Sequence, residues 1–424
     1  MPDRILRGAL GATLFLVLAG CSEQVTSSLG CPDLCTDQSP TLRDTVLTDA
    51  VIVDSTITGF PLLGTLADPP LVSQGDTIDL RVIARFDTLR STYRAVGATA
   101  DSTIRRVDSA SFIFVRDTSL ARPAASVRIE AFDVDTTAND TIPSTLLPLF
   151  RASRLLGTRT YAAGAIADTI RIPLDNASLL GKITAARRLR IGLRVTDVAG
   201  ASLVRLRVVS GAAPIVRLRV SADTLVAPDT VRLLSKTPAE PTLAARLALY
   251  SLRAAGTLPL PPSDRLAVGG VGGARAYLRF SIPPIVIDSV QVIRATLQLT
   301  QRPSRSAGGA RDTVSLFVHP ITSSPAVTDL YLANNFLGAP RDFGLDSTRF
   351  VPRDSGQANI EIVGLVRFWR LAGTARDARQ IILRAPLEGQ IAGELNFFSR
   401  DAAVVAVRPR LRLTYVPRRG FGLP

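Results

Sequence analysis

The sequence predicts an all-β fold of two tandem, jelly-roll-like β-sandwiches, and three observations support this prediction. From Asp44 onward, short runs of alternating apolar and polar residues recur, as in Asp79 to Phe86 and Leu189 to Val195. Asp, Gly, Pro and Ser separate these runs, and these residues favour turns. The same pattern then repeats in the second half of the chain. Hydrophobic residues make up 46% of the sequence, which is enough for cores that need no disulfides.

The repeat becomes visible when the halves of the chain are aligned at a separation of about 190 residues. The matching segments are Ile83 to Phe86 with Tyr277 to Phe280, Ser109 to Phe114 with Arg294 to Leu299, Ile129 to Val134 with Leu316 to Ile321, and Val216 to Val220 with Leu411 to Tyr415. The sequence pattern in each half also predicts one short helix, near Asn176–Ile183 in the first half and near Gly364–Leu371 in the second. We therefore predict sandwiches at residues 44–220 and 223–417, with Thr230 to Ser235 as the first strand of the second. The Gly/Pro/Arg-rich residues 418–424 predict a frayed tail.

The first 20 residues have the pattern of a secretory signal peptide. Arg4 and Arg7 precede an apolar segment, Ala9 to Ala19, that is too short for a stop-transfer helix. The tetrapeptide LAGC that ends at Cys21 resembles the lipobox of bacterial lipoproteins. This resemblance implies cleavage before Cys21, acylation of that residue and anchoring in a lipid bilayer, and Ser22 then favours the outer membrane. An ordinary signal peptide followed by an incidental cysteine is the alternative.

Two further cysteines, Cys31 and Cys35, lie in a polar, turn-rich segment, residues 21–43, that predicts a flexible tether. Their close spacing in an oxidising envelope predicts a disulfide. A zinc site is disfavoured because zinc usually takes four ligands and His319 is the only histidine in the sequence. We predict no metal and no cofactor. A calcium site at Asp133, Asp135 and Asp140 is a minority alternative, since these carboxylates cluster without the spacing of a known calcium loop.

The second half of the chain carries an ordered set of segments that resembles the DNRLRE-type domain. These segments are Ala276 to Phe280, Ala295 to Leu299, Val314 to Thr322, Ile360 to Gly373, Phe397 to Arg400 and Arg408 to Tyr415. The sequence departs from the family pattern at Val363-Gly364 and at Asp401. The resemblance implies a β-sandwich related to carbohydrate-binding modules. It also places Trp369 in a strand-plus-helix element, where we predict that Trp369 packs in the core rather than against a sugar.

The charge is strongly basic, and nearly all of it is arginine. The net charge of the chain is +14, and removal of Arg4, Arg7 and Asp3 with the signal leaves +13. Many arginines alternate along strands, as in Arg217/Arg219 and Arg408/Arg410/Arg412, which places each set on one strand face. A solvated outer face is one interpretation, and a surface that attracts anionic glycans or lipid headgroups is the other. Nucleic-acid binding is disfavoured because aromatic content is 5% and no stacking motif is present.

The sequence gives little support for catalysis. A triad would depend on His319 alone, which lies in a strand beside a turn. Paired carboxylates of a glycosidase or lyase could come from Glu130, Glu361, Glu388 or Glu394. The Gly-rich segment 269–273 is not a phosphate loop because no Gly-Lys-Ser/Thr follows.

These observations favour a non-catalytic, outer-membrane-anchored surface lipoprotein. We expect its C-terminal sandwich to bind an anionic polysaccharide or another envelope polymer. A structural or assembly lipoprotein that docks protein partners is the first alternative, and a polysaccharide-active enzyme is the second.

Overall fold

The computed structural model describes much of the chain from residue 41 onward. The described residues are 41–59, 66, 68–74, 78–120, 122–138, 142–197, 201–207, 213–222, 229–234, 249–255, 258, 260–304, 313–321, 348–371 and 379–417. The predicted signal peptide, Cys21, Cys31, Cys35, Asp140, the tail at 418–424 and the tether up to residue 40 lie outside them. Within the described ranges, no helix is long and apolar enough to cross a membrane.

Strands dominate the described chain. In chain order they are β1 (Arg43–Leu47), β2 (Val51–Ile57), β3 (Pro70–Gln74), β4 (Ile78–Thr88), β5 (Thr92–Tyr93), β6 (Ser102–Thr103), β7 (Arg106–Val115), β8 (Val127–Asp133), β9 (Leu155–Tyr161), β10 (Thr169–Leu174), β11 (Arg188–Asp197), β12 (Ala201–Arg205), β13 (Ile215–Ser221), β14 (Asp229–Leu234), β15 (Leu249–Ala255), β16 (Arg265–Gly269), β17 (Arg275–Phe280), β18 (Val290–Arg302), β19 (Val314–Ile321), β20 (Thr348–Phe350), β21 (Gly356–Glu361), β22 (Gln380–Arg384), β23 (Glu394–Phe398) and β24 (Arg410–Pro417). The described α-helices are α1 (Pro143–Leu146), α2 (Asn176–Thr184) and α3 (Val363–Leu371). Short 3-10 turns lie at Leu147–Leu149, Ala152–Arg154, Pro284–Val286 and Val405–Val407.

The first sandwich is built from β3 to β15. One sheet has the strand order β10-β7-β13-β14, and the other has the order β12-β3-β4-β11-β8-β9 with β15 also paired to β4. Strands β5 and β6 form a separate two-stranded sheet. Because side chains alternate along a strand, one face of each sheet points inward, and Phe86, Phe112 and Phe114 meet between the sheets.

The second sandwich is built from β1, β2 and β16 to β24. Its larger sheet has the order β1-β24-β18-β23-β16 with β21 also paired to β18, and its smaller sheet has the order β2-β17-β22-β19-β20. The core between these two sheets has its largest side chains at Phe280, Phe397 and Trp369. The predicted all-β sandwich class is therefore confirmed.

Both predicted helices are present. Helix α2 begins after Asp175, whose carboxylate accepts a hydrogen bond from the Ser178 backbone N–H at 2.7 Å, a standard N-cap. Helix α3 carries Trp369, which is 1% exposed and lies 5.6 Å from the Phe280 ring between centroids. The predicted packing role of Trp369 is confirmed.

The two sandwiches share most of their strand pairing, but the pair β3 and β12 joins β4, whereas the equivalent pair β16 and β23 joins β18 of the opposite sheet. The equivalent strands are β3 and β16, β4 and β17, β7 and β18, β8 and β19, β9 and β20, β10 and β21, β11 and β22, β12 and β23, and β13 and β24. We call β1 and β2 the leading strands of the first repeat, and β14 and β15 the leading strands of the second. Strand β14 pairs with β13 as β1 pairs with β24, and β15 pairs with β4 as β2 pairs with β17.

This pairing corrects the predicted domain boundaries. Residues 44–220 and 223–417 delimit the sequence repeats, but each repeat's leading strands complete the other repeat's sandwich. Strand β14, which contains most of the segment Thr230 to Ser235, thus belongs to the first sandwich and not to the second. The physical reason is that β13 and β14 are consecutive strands joined by a short connection, and such strands pair readily in antiparallel register.

The sandwiches meet at an apolar joint. Val72, Ile78 and Leu80 of the first sandwich pack with Val271 of the second. Beside this cluster, a terminal nitrogen of the buried Arg205 donates to the Gln390 carbonyl at 3.4 Å. The joint therefore combines hydrophobic burial with a hydrogen bond between the sandwiches.

Candidate functional site

The outer surface of the four-stranded sheet carries three arginines, Arg171 on β10 and Arg217 and Arg219 on β13, which we call the arginine face. Their neighbours along each strand are buried in the core. The register places Arg171 beside Ile113, and Arg217 beside Ser111, on the intervening strand β7. Strand spacing and rise therefore put the base of Arg217 about 7 Å from that of Arg219 and about 12 Å from that of Arg171, whereas Arg171 and Arg219 lie about 16 Å apart.

Within the described part of the chain, no carboxylate pairs with the positive charges of the arginine face. Among the described residues, none forms an ion pair or hydrogen bond with Arg171, Arg217 or Arg219. The carboxylate on β7, that of Asp108, binds Arg106 at 2.8 Å instead. Positive side chains on one strand face without a carboxylate partner among the described residues favour an anionic partner.

Two arginines on the equivalent face of the second sandwich pair with carboxylates. Arg294 binds Glu361 at 2.9 Å, and Arg412 binds Asp44 at 2.8 Å. Amide side chains lie between them, and the Gln298 amide donates to the Asn359 side-chain oxygen at 3.3 Å. The two equivalent faces therefore differ in charge although the fold beneath them is the same.

A cleft of about 1000 Å³ lies where the two sandwiches meet, and we call it the junction cleft. One wall is the outer surface of the six-stranded sheet, with Arg265, Glu394 and Asn396 among its side chains. Gln74 and Ile78 of the first sandwich line it as well. Burial raises the pKa of Glu394, although Arg265 and the Asn396 side chain act in the opposite direction. The cleft was not predicted from the sequence, because its lining residues are far apart along the chain.

The glutamates considered as paired catalytic acids lie on separate elements. The carboxylate of Glu130 on β8 binds Arg194, and that of Glu361 on β21 binds Arg294. The buried carboxylate of Glu388 accepts two hydrogen bonds from Arg275, at 2.7 and 2.8 Å. Such bidentate pairs fix the position of the carboxylate through two parallel hydrogen bonds.

His319 lies half-buried on β19, as its strand context predicts. Its Nε2 accepts a hydrogen bond from Arg384 Nε at 3.1 Å, and the Phe317 ring stacks 6.4 Å from it. Accepting this bond occupies the imidazole nitrogen that a general base would need.

The carboxylates considered for calcium are engaged by basic side chains. Lys182 Nζ lies 3.0 Å from Asp133 and 3.4 Å from Asp135, and Arg188 Nε donates to Asp135 at 2.7 Å. These cations lower the pKa of Asp135, although burial acts in the opposite direction. Within the described part of the chain, no group of three His, Cys, Asp or Glu residues could hold a metal ion.

The Gly-rich segment 269–273 forms the tight turn between β16 and β17. Gly269, Gly270 and Gly273 have φ values of 81°, 69° and 56°, a region that favours glycine. A Cβ atom at Gly270 would lie 2.9 Å from the Glu394 Cβ. The segment therefore allows the turn to pack against Glu394 at the junction cleft, and it leads into a strand rather than a helix.

Comparison with known proteins identifies no family. No family model matches the sequence, and no curated protein matches it. A protein of Parabacteroides distasonis described as secreted covers 89% of this chain over its own full length, with 11% identity and a TM-score of 0.25. The empty top-component particle of cowpea mosaic virus covers 92%, aligned over 95% of its own chain, with 9% identity and a TM-score of 0.17. Similarity at these TM-scores carries no argument about fold or function.

Proposed function

We propose that this chain is a non-catalytic binding module of the cell envelope that holds an anionic polysaccharide on its arginine face. The charge of Arg171, Arg217 and Arg219, with which no carboxylate of the described residues pairs, carries this proposal. The sequence led us to expect such binding on the C-terminal sandwich. The pairing of Arg294 and Arg412 with carboxylates makes the first sandwich the better candidate.

The chemistry of arginine suits this ligand class. A guanidinium group is planar and permanently charged, and it can donate two parallel hydrogen bonds to a carboxylate or sulfate. Three such groups on a flat sheet face match a polymer that carries a charge on successive sugar units. Binding at an exposed surface is screened by salt, so each contact is weak and the affinity comes from several contacts together.

Membrane attachment belongs to the same proposal. The signal-like segment and the lipobox-like LAGC that ends at Cys21 support acylation of Cys21 and an outer-membrane location. An anchored module of this kind would hold an extracellular or envelope polymer close to the membrane.

Affinity gel electrophoresis of the folded protein tests the proposal. We expect retardation in gels that contain alginate, polygalacturonate or dextran sulfate, but not in neutral dextran gels. Retardation should fall as salt rises from about 0.02 M to 0.15 M, because the Debye length shortens. The double variant Arg217→Gln/Arg219→Gln should lose most of the retardation.

A variant of equal net charge provides the control. Arg294→Gln/Arg412→Gln removes the two paired arginines from the equivalent face of the second sandwich, so its retardation should stay close to that of the unmodified protein. Equal losses in the two variants would show a net-charge effect and contradict a defined face. Absence of retardation by every anionic polymer at low salt would favour a structural lipoprotein that docks protein partners.

A further inference from the structure

Residues 43–57, which form β1 and β2 and which we call the leading segment, are hydrogen-bonded to the second sandwich alone within the described structure. Strand β1 pairs with β24, and β2 pairs with β17 along its length. Side-chain contacts follow the same rule: Arg412 binds Asp44 at 2.8 Å, and the Ala267 N–H donates to the Thr56 hydroxyl at 3.1 Å. None of these bonds reaches the first sandwich.

The leading segment also supplies part of the second core. Ala50 and Val51 are 2% and 5% exposed and belong to the apolar cluster that contains Phe280. The Ala50 carbonyl accepts a hydrogen bond from the Ser281 N–H at 2.8 Å, which holds the turn between β1 and β2 against the end of β17. An undocked leading segment would expose these apolar side chains and leave the edges of two sheets unpaired. The segment therefore needs a second sandwich into which it can dock.

The order of the chain separates the leading segment from its acceptor. Residues 58–69 connect it to β3, and the whole first sandwich, β3 to β15, lies between it and the strands that it joins. During synthesis the segment therefore appears long before β17 and β24 of its own chain. Docking at a sheet edge needs no threading, and the contacts are the same in any second sandwich. A second copy of this chain is thus a chemically identical acceptor.

Exchange of leading strands is present within one chain. Strands β14 and β15 precede the other strands of the second repeat, yet they pair with β13 and β4 of the first sandwich. Strands β1 and β2 make the reciprocal pairing with β24 and β17. The monomer thus has the topology of two repeats that have exchanged their leading strands. Exchange between two copies would form the same interface between different chains.

We infer that two copies of this chain form a dimer by reciprocal exchange, so that residues 43–57 of each copy complete the second sandwich of the other. A closed dimer is favoured over an open assembly, which would leave one segment and one sandwich unpaired at its ends. A short connection gives the segment an effective concentration on the order of 1 mM toward its own sandwich. Exchange therefore occurs when chains fold at comparable concentrations, and the dimer persists because reversal requires β1 and β2 to leave their partners. The inference does not rest on the proposed function.

Disulfide trapping between two residues that face each other across β1 and β24 tests the inference. Val46 lies opposite Arg412, and both side chains are exposed. Val46→Cys and Arg412→Cys are introduced into separate full-length chains whose three native cysteines are replaced by serine, so neither chain can form the bond alone. The two variants are unfolded in urea, mixed, refolded together and oxidised. We expect a disulfide-linked dimer on non-reducing gels, about tenfold or more abundant after refolding at about 0.5 mM than at about 1 µM.

Arg294→Cys in place of Arg412→Cys is the matched control. Arg294 is exposed on the same sheet but lies on β18, two strands from β1, so its thiol is beyond the reach of a disulfide with position 46. The double variant Val46→Cys/Arg412→Cys, refolded when dilute, should form the bond within one chain and so verify the register. Light scattering of the unmodified protein refolded at the higher concentration should show dimers.

Four results would overturn the inference. They are the absence of a linked dimer in the mixed sample, an equal yield with Arg294→Cys, assemblies larger than a dimer in light scattering, and failure of the bond within one chain. The last of these would mean that β1 does not pair with β24.

Discussion

At the scale of single residues, burial in the completed sheet raises the pKa of one carboxylate, that of Asp54. This residue lies on β2, and its carboxylate accepts a hydrogen bond from the Arg400 backbone N–H at 2.7 Å. Burial raises the pKa of Asp54 to about 6, and the nearby Asp401 adds to this rise. The hydrogen bond and the Arg400 charge act in the opposite direction but do not offset the burial.

The raised pKa predicts that the protein loses stability as pH rises through 6. Because the folded pKa exceeds the unfolded value of 3.8, the folded state binds the proton more tightly. The stabilisation is fully present below about pH 4 and is lost above about pH 6. The free energy of unfolding should fall between about pH 5 and 8, and Asp54→Asn should make this fall smaller by about 1 kcal/mol, after allowance for solvent screening. Urea unfolding at both pH values measures this, with the exposed Asp49→Asn as control. An unchanged pH dependence in Asp54→Asn would contradict the prediction.

At the scale of elements, β2 belongs to a sandwich whose other strands, apart from β1, follow residue 264. Val51 is 5% exposed and packs in the second core, whereas Ile52, the next residue, is 36% exposed. Val51 also pairs with Phe280 of β17. Successive residues of a strand point to opposite faces, so these two positions provide a matched pair.

We predict that Val51→Asp destabilises the protein by about 3 kcal/mol or more, since it places a carboxylate in an apolar core. Ile52→Asp should cost less than about 1 kcal/mol because its side chain reaches water. Denaturant unfolding gives the two free energies, and hydrogen exchange should show faster opening of β17 in Val51→Asp. Equal effects of the two substitutions would mean that β2 does not belong to this core.

Much of the local structure could be predicted from the sequence, but the partners of the leading strands could not. Alternation of apolar residues located strands such as β4, and a short Leu-rich segment located α2. The leading strands of both repeats have the same alternating pattern, so the pattern of each fits either sandwich. Local pattern does not decide between these options, because the choice depends on chain connectivity in three dimensions.

At the scale of the whole molecule, the first sandwich is continuous in sequence and the second is not. Strands β3 to β15 form the first without interruption, whereas the second takes β1 and β2 from before this insertion. A fragment that contains residues 223–417 would carry β14 and β15 without the sheets they join. It would also leave β24 and β17 without their outer partners.

We therefore predict that a fragment of residues 66–258 folds and unfolds cooperatively, and that a fragment of residues 223–417 does not. Unpaired strand edges and an open core leave too little burial to offset chain entropy in the second fragment. Circular dichroism and thermal unfolding of both fragments measure this. Addition of a peptide of residues 41–59 should increase the folded fraction of the second fragment. A stable, cooperative 223–417 fragment without that peptide would refute the assignment of β1 and β2.

The candidate sites show the same limit at this scale. The sequence predicts strand faces with alternating arginines in both sandwiches, and both are present. Whether such an arginine is neutralised depends on the residue across the sheet: Arg412 pairs with Asp44 of β1, which is distant from it in the sequence. The junction cleft likewise has both Gln74 and Asn396 among its lining residues, which no local pattern could predict.

The pairing of β1 with β24 also determines how the molecule responds to a pulling force. Arg43 lies opposite Tyr415 and Leu47 lies opposite Leu411, so the two strands leave the sheet at the same end. Tension applied between residues 43 and 417 acts along the interstrand hydrogen bonds, because these run perpendicular to antiparallel strands. The bonds between β1 and β24 then carry the load one pair after another, beginning at Arg43, so that β1 peels away from β24 in sequence.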